Sequence, residues 1–170
     1  WALKKADAVT AVSKALAEQI HLFTKNRIKV HVIYNGIQMP DGFLIPNFVP
    51  DNLRHLQNKY FILTLGRLHK VKGLDILLDA LALLKKQGYD IPHLVIAGDG
   101  SERPHLQKQV IDSHLENNVT FVGQVTGQAK LWLLANCGFL VQPSRSEGCA
   151  ISVLEAFSYC LLYTSPSPRD

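Results

Sequence analysis

The chain has 170 residues, 47% hydrophobic and 19% charged, with 11 Gly and 8 Pro. Those fractions match a globular domain and exclude collagenous, disordered and low-complexity chains, and no apolar run approaches the roughly 18 residues of a membrane span. The net charge of +4 is spread over scattered basic residues, with Lys4-Lys5 and Lys85-Lys86 the densest pairs, which excludes a nucleic-acid stripe with interleaved aromatics.

In chain order, Ala8 to Val12 reads as a strand and Lys14 to Phe23 as a helix with Leu16, Ile20 and Phe23 along one side. Lys29 to Tyr34 is a second strand, stopped by the turn pair Asn35-Gly36. Residues 37–58 hold Pro40, Pro46 and Pro50 and lack sustained periodicity, so they read as a linker ending in a short helix near Asp51 to Gln57. Tyr60 to Leu65 is a continuous apolar strand, after which Leu74, Leu77, Leu78, Leu81 and Leu84 repeat at helical spacing, with Gly88 as the stop. Next come a strand from His93 to Ala97, a helix from about Glu102 to Leu115 and a strand from Val119 to Val122. A helix from Gly127 to Asn136, a strand from Phe139 to Gln142 and a helix from Ala150 to Ser158 complete the pattern.

Unalternating strands separated by helices predict an α/β fold: a Rossmann-like parallel sheet with helices on both faces. Ligands of such sheets bind at the carboxyl ends of the strands, which directs attention to the loops after Leu65, Ala97, Val122 and Gln142. Residues 160–170 are expected to stand outside the fold. They form a Pro/Ser tail resembling one reading frame of a widely used transposase-type sequencing adaptor. The start at Trp1, with Met39 as the sole Met, points to a piece of a longer protein, and three Cys (Cys137, Cys149, Cys160) without a C-x-x-C point to a reducing cytoplasm.

Three constellations carry possible chemistry. In Gly66-Arg67-Leu68-His69-Lys70-Val71-Lys72-Gly73, Gly66 permits a sharp exit from a strand, while Arg67 offers a planar fork and Lys72 a mobile point charge for phosphate oxygens. A solvated basic loop is the alternative. Gly98-Asp99-Gly100 lacks the third glycine of a dinucleotide fingerprint, since Arg103 stands there, and reads as a turn in preference to a nucleotide loop. In Glu147-Gly148-Cys149-Ala150 leading to Glu155, a continuous helical rise would separate the two carboxylates by about 12 Å and 80° of azimuth. That suits opposite ends of an extended ligand, with free helix N–H groups between, and not a paired acid/base mechanism; two ordinary surface acids are the alternative. The seven His make no metal spacing with Cys or carboxylates.

In this order and spacing, over residues 2–159, the three signals resemble the C-terminal half of family-4 retaining glycosyltransferases of the GT-B fold. Ala6-Asp7-Ala8-Val9-Thr10-Ala11-Val12-Ser13, Val32-Ile33-Tyr34-Asn35-Gly36, G-R-x4-K-G, A-G-D-G, Val119-Thr120-Phe121-Val122-Gly123 and Glu-x7-Glu carry the resemblance. It implies transfer of a hexose from a UDP- or GDP-sugar to a glycan or lipid-linked acceptor, without metal or other cofactor and without nucleic acid. Residues 1–40 would end the acceptor domain, 41–58 link, and 59–159 form the donor domain. Glu147, Arg67 and Lys72 would be catalytic, with Arg67 and Lys72 clamping the diphosphate. Gly66, Val125, Lys130, Gly148, Cys149, Ala150 and Glu155 would complete the donor site: Val125 and Lys130 near the base, Glu155 on the ribose. Ala150 stands where many members have Gly. The resemblance also implies a cytoplasmic protein, peripheral at the inner face of the membrane, and a fragment inactive alone. The alternatives are another GT-B enzyme, such as a nucleotide-sugar epimerase, and a non-catalytic nucleotide-binding or structural α/β module.

Overall fold

A computed structural model describes residues 5–37, 49–159 and 162–164. The chain forms two compact units, one made of residues 1–38 with 147–151 and the other of residues 39–146 with 152–170. Residues 38–48 of the predicted linker lie outside the described residues.

In the first unit, β1 (Val9–Ala11) pairs in parallel with β2 (Val30–Val32) through the crossover helix α1 (Lys14–Thr24). The Ser13 side chain caps α1 by accepting from the Leu16 N–H at 3.2 Å, satisfying a donor with no partner inside the helix. At the other end Lys25, in the left-handed region at φ 52°, returns its N–H to the last turn.

The second unit opens with a 3₁₀ turn at Asp51–Leu56, where a short helix was expected, and buries Leu53 and Leu56. It is built on a five-stranded sheet of β3 (Phe61–Leu65), β4 (His93–Ala97), β5 (Val119–Gly123), β6 (Phe139–Val141) and β7 (Leu162–Thr164), in the order β5-β4-β3-β6-β7. Every pairing is parallel. The connecting helices are α2 (Leu74–Lys86), α3 (Arg103–Asp112), α4 (Gly127–Asn136) and α5 (Ile151–Ser158).

All five residues of β3 are buried because both faces are covered. Side chains alternate across the strand: Phe61, Leu63 and Leu65 pack with Trp132, Leu133 and Ala156, while Ile62 joins Leu74, Leu78 and Leu106 on the opposite face. Phe61 stacks on Trp132 with ring centroids 6.3 Å apart. Two cores on one sheet result.

The sequence reading left the tail outside the sheet, with no strand following the last helix; β7 corrects that. Leu162–Thr164 pairs with the outer edge of β6. A short apolar and aromatic run beside an open edge has the composition to supply a strand, whatever its origin.

Strand order explains where a ligand can enter. The chain runs outward from β3 through β4 to β5, then returns to place β6 on the other side of β3. The connections leave the β3–β6 boundary in opposite directions, which opens a crevice there at the carboxyl edge.

Candidate functional site

The loop after β3 is fixed by its neighbour after β4. The Gly66 N–H donates to the Ala97 carbonyl at 2.9 Å, Leu68 N–H to the Asp99 carbonyl at 2.9 Å, and Glu102 N–H back to the Leu68 carbonyl at 3.0 Å. Backbones this close leave no room at Gly98, where a Cβ would fall on the Gly66 carbonyl oxygen. Asp99 shapes its own turn by accepting from the Gly100 N–H at 2.8 Å and from Arg103 at 2.6 Å. Those two donors hold its carboxyl below the usual range.

Beyond Leu68 the chain makes a 3₁₀ turn over Lys70–Lys72, capped by His69 Nδ1 accepting from the Val71 N–H. Gly73, in the left-handed region at φ 65°, then starts α2, with the Pro143 carbonyl where its Cβ would be. The turn folds Lys72 back toward Gly66; a Cβ on Gly66 would lie 3.8 Å from Lys72 Cε. Gly66, Arg67 and Lys72 consequently line one narrow crevice, too tight as it stands to admit a water molecule, together with Thr64, Leu68, Leu74, Ala97 and Gln142. This cleft sits at the β3–β6 crevice.

On its β6 side, buried Gln142 donates from Nε2 to the Leu65 carbonyl at 2.7 Å and to Ser152 Oγ at 2.6 Å. Arg145 spans to the 3₁₀ turn and to Asp75, and its guanidinium holds the Asp75 carboxyl below the ordinary value. Sequence reasoning missed both residues. Gln142 had a signal, a polar residue ending the apolar run Phe139-Leu140-Val141. Arg145 had none.

Lys130 near the start of α4 and Glu155 on α5 form an ion pair at 2.6 Å. The sequence reading had assigned them to different parts of a ligand. The Tyr159 hydroxyl is buried with no hydrogen-bond partner, and burial raises its pKa, with Lys130 and Glu155 both close enough to act on it. Val125 packs against the core cluster of Trp132 and Leu133, as do Ala129, Val153 and Tyr159.

Glu147, Gly148, Cys149 and Ala150 group with the first unit. There a methyl on Gly148 would meet Val12 and Leu16 at ordinary van der Waals distance, 3.5 and 3.6 Å. The helical spacing expected between Glu147 and Glu155 does not hold. Helix α5 begins at Ile151, so only part of that segment rises as a helix. A larger cleft of about 740 Å³ lies in the first unit between residues such as Val9, Phe23, Arg27 and Ile28, and none of the expected site residues lines it. Among the described residues, no cluster of three His, Cys, Asp or Glu could hold a metal ion, and no helix is long and apolar enough to cross a membrane.

Residues 48–163 match the family model described as glycosyl transferases group 1. The D-rhamnosyltransferase WbpZ of Pseudomonas aeruginosa is 35% identical over 162 residues, covering 92% of this chain and 40% of that protein. The D-inositol 3-phosphate glycosyltransferase of Jonesia denitrificans is 28% identical over 169 residues, covering 91% of this chain and 39% of its own length. The chain thus spans about two fifths of the length of these curated relatives. In fold it resembles Anabaena HepE, solved in complex with UDP and glucose. The TM-score is 0.72 at 24% identity, covering 96% of this chain and 45% of that one.

Proposed function

The chain belongs to the glycosyl transferases group 1 family, and from that premise we propose that its second unit is the donor-binding part of a hexosyltransferase. The enzyme moves a hexose from a UDP- or GDP-sugar to a glycan or lipid-linked acceptor with retention of configuration. The observation that carries this reading is the convergence of Gly66, Arg67 and Lys72 at the carboxyl edge of the β3–β6 boundary. Breaking a bond from sugar to diphosphate develops negative charge on the leaving oxygens. A guanidinium fork and an ammonium beside that position would neutralise the charge as it develops.

In this reading Arg67 and Lys72 hold the diphosphate in place of a metal, and Glu155 accepts from the ribose hydroxyls. Val125 lies toward the base, and Lys130 keeps the Glu155 carboxylate oriented. Residues 59–159 form the donor domain and residues 1–40 the end of the acceptor domain. The present chain binds donor without turning it over. The enzyme works in the cytoplasm, peripheral at the inner face of the cell membrane.

Thermal melts with UDP, GDP and ADP test the reading. A ligand at 100 times its Kd adds ~2.7 kcal/mol, so one nucleotide should raise Tm and Arg67→Ala should abolish the rise. A cooperative melt that none of the three moves would favour a structural α/β module instead.

A further inference from the structure

We propose that Arg145 is a positioning residue for the phosphate-binding turn, holding Lys72 at the crevice through the backbone of Lys70 and Val71 and the carboxylate of Asp75. This rests on the donor-site reading above. The turn is closed by its own short bonds, from the Val71 N–H to His69 Nδ1 and from the Lys72 and Gly73 N–H groups to the His69 and Lys70 carbonyls, and these do not tie it to β6. It is three residues long, none of Lys70, Val71 and Lys72 is buried, and Val71 is an exposed hydrophobic. A 3₁₀ segment of that length has poor hydrogen-bond geometry and needs outside support.

Arg145 supplies that support from the far side of the crevice. Its Nη1 donates to the Lys70 carbonyl at 2.7 Å and to Asp75 Oδ1 at 2.8 Å, and its Nη2 donates to Asp75 Oδ2 at 2.6 Å. Its backbone N–H donates to the Val71 carbonyl at 2.8 Å. One residue therefore holds two consecutive carbonyls of the turn and the first turn of α2. Behind it, the Pro143 carbonyl fills the space a side chain at residue 73 would need, so the turn cannot settle closer to β6.

The paired guanidinium donors match the two carboxylate oxygens, which a lysine ammonium cannot reproduce. Side-chain exposure of 37% for Arg145 and 29% for Asp75 makes this a solvent-screened pair of small worth to global stability. Its effect should appear in the geometry of Lys72 and not in the melting temperature.

Inorganic pyrophosphate, titrated calorimetrically into the full chain, reads the turn without involving a nucleotide base. Arg145→Ala and Arg145→Lys should each weaken pyrophosphate about tenfold, no more than the loss of one hydrogen bond to a charged group, with little change in Tm. Asp75→Asn, which leaves Arg145 in place but loosens its anchor, should weaken binding in the same direction. The double variant Lys72→Ala/Arg145→Ala should bind no worse than Lys72→Ala alone, because Arg145 acts through Lys72. Additive losses would mean that Arg145 touches the anion itself, and wild-type affinity in the Arg145 and Asp75 variants would mean that it positions nothing; either overturns the proposal. If Lys72→Ala also leaves pyrophosphate binding unchanged, the donor-site reading fails and takes this inference with it.

Discussion

Lys130 and Glu155, 25 positions apart in the chain, meet with Nζ 2.6 Å from Oε1 between α4 and α5. Their side chains are 30% and 23% exposed, so the pair is partly withdrawn from water. Removing the cation should leave Glu155 with a desolvated charge and no partner. Lys130→Met is expected to cost about 0.5–1 kcal/mol, well below a fully buried pair because solvent still screens this one. Urea unfolding measures it. A midpoint equal to wild type would show that the pair adds nothing to stability.

Gly98→Ala should destabilise the second unit by about 3 kcal/mol or more, since the added methyl would meet the Gly66 carbonyl and neither backbone can yield without breaking the loop's bonds. The same substitution at Gly88, where nothing lies within 4 Å, meets no atom and carries only the strain of φ 83°. Its cost should be clearly smaller. Equal unfolding midpoints for the two variants would contradict the close-packing account.

His93 on β4 faces Thr120 Oγ1 at 2.8 Å, and burial, with Lys59 adding to it, lowers its pKa from the ordinary value of 6.5. The unfolded chain therefore binds a proton near pH 6.5 that the folded chain resists until lower pH. Stability conferred by the neutral ring is complete above 6.5 and declines as pH falls through the interval down to the folded pKa. His93→Gln should flatten that decline in denaturation series between pH 7.5 and 5. Parallel curves for variant and wild type would show that another group titrates.

Cys137 is 6% exposed, and burial pushes its thiol pKa up to about 12. In a Cys149→Ser/Cys160→Ser background, the remaining thiol should not react with a disulfide reagent at pH 8 until denaturant is added, because almost none is thiolate and little can be reached. Rapid reaction of the native chain would contradict the burial.

The central strands of the second unit were legible because a strand buried on both faces is a nearly continuous apolar run, and α2 because Leu74, Leu77, Leu78, Leu81 and Leu84 recur at helical spacing. Helix α3 shows the limit. Its expected end near Leu115 runs past Asp112 because Leu115 is fully buried, yet it reaches the core after the chain has left the helix through His114 at φ 55°. Apolarity reports burial there and not helical geometry.

At the site, Arg67 and Lys72 could be read from strand-end position and charge. Their shared cleft depends on the short turn at Lys70–Lys72, which has no periodicity to reveal it. The spacing from Glu147 to Glu155 was misread because a helix was extended across a loop. Arg145 and Gln142 act on residues some 70 positions away or more, a relationship that exists only once β6 lies beside β3.

The most direct test of the central claim compares two ligands on two variants by calorimetry: pyrophosphate and the nucleoside diphosphate that raises Tm, titrated into Arg67→Ala and Glu155→Ala. The account predicts that Arg67→Ala loses both ligands, whereas Glu155→Ala binds pyrophosphate like wild type and loses affinity for the nucleotide alone. Wild-type affinity for both ligands in both variants would contradict a donor site built on these residues.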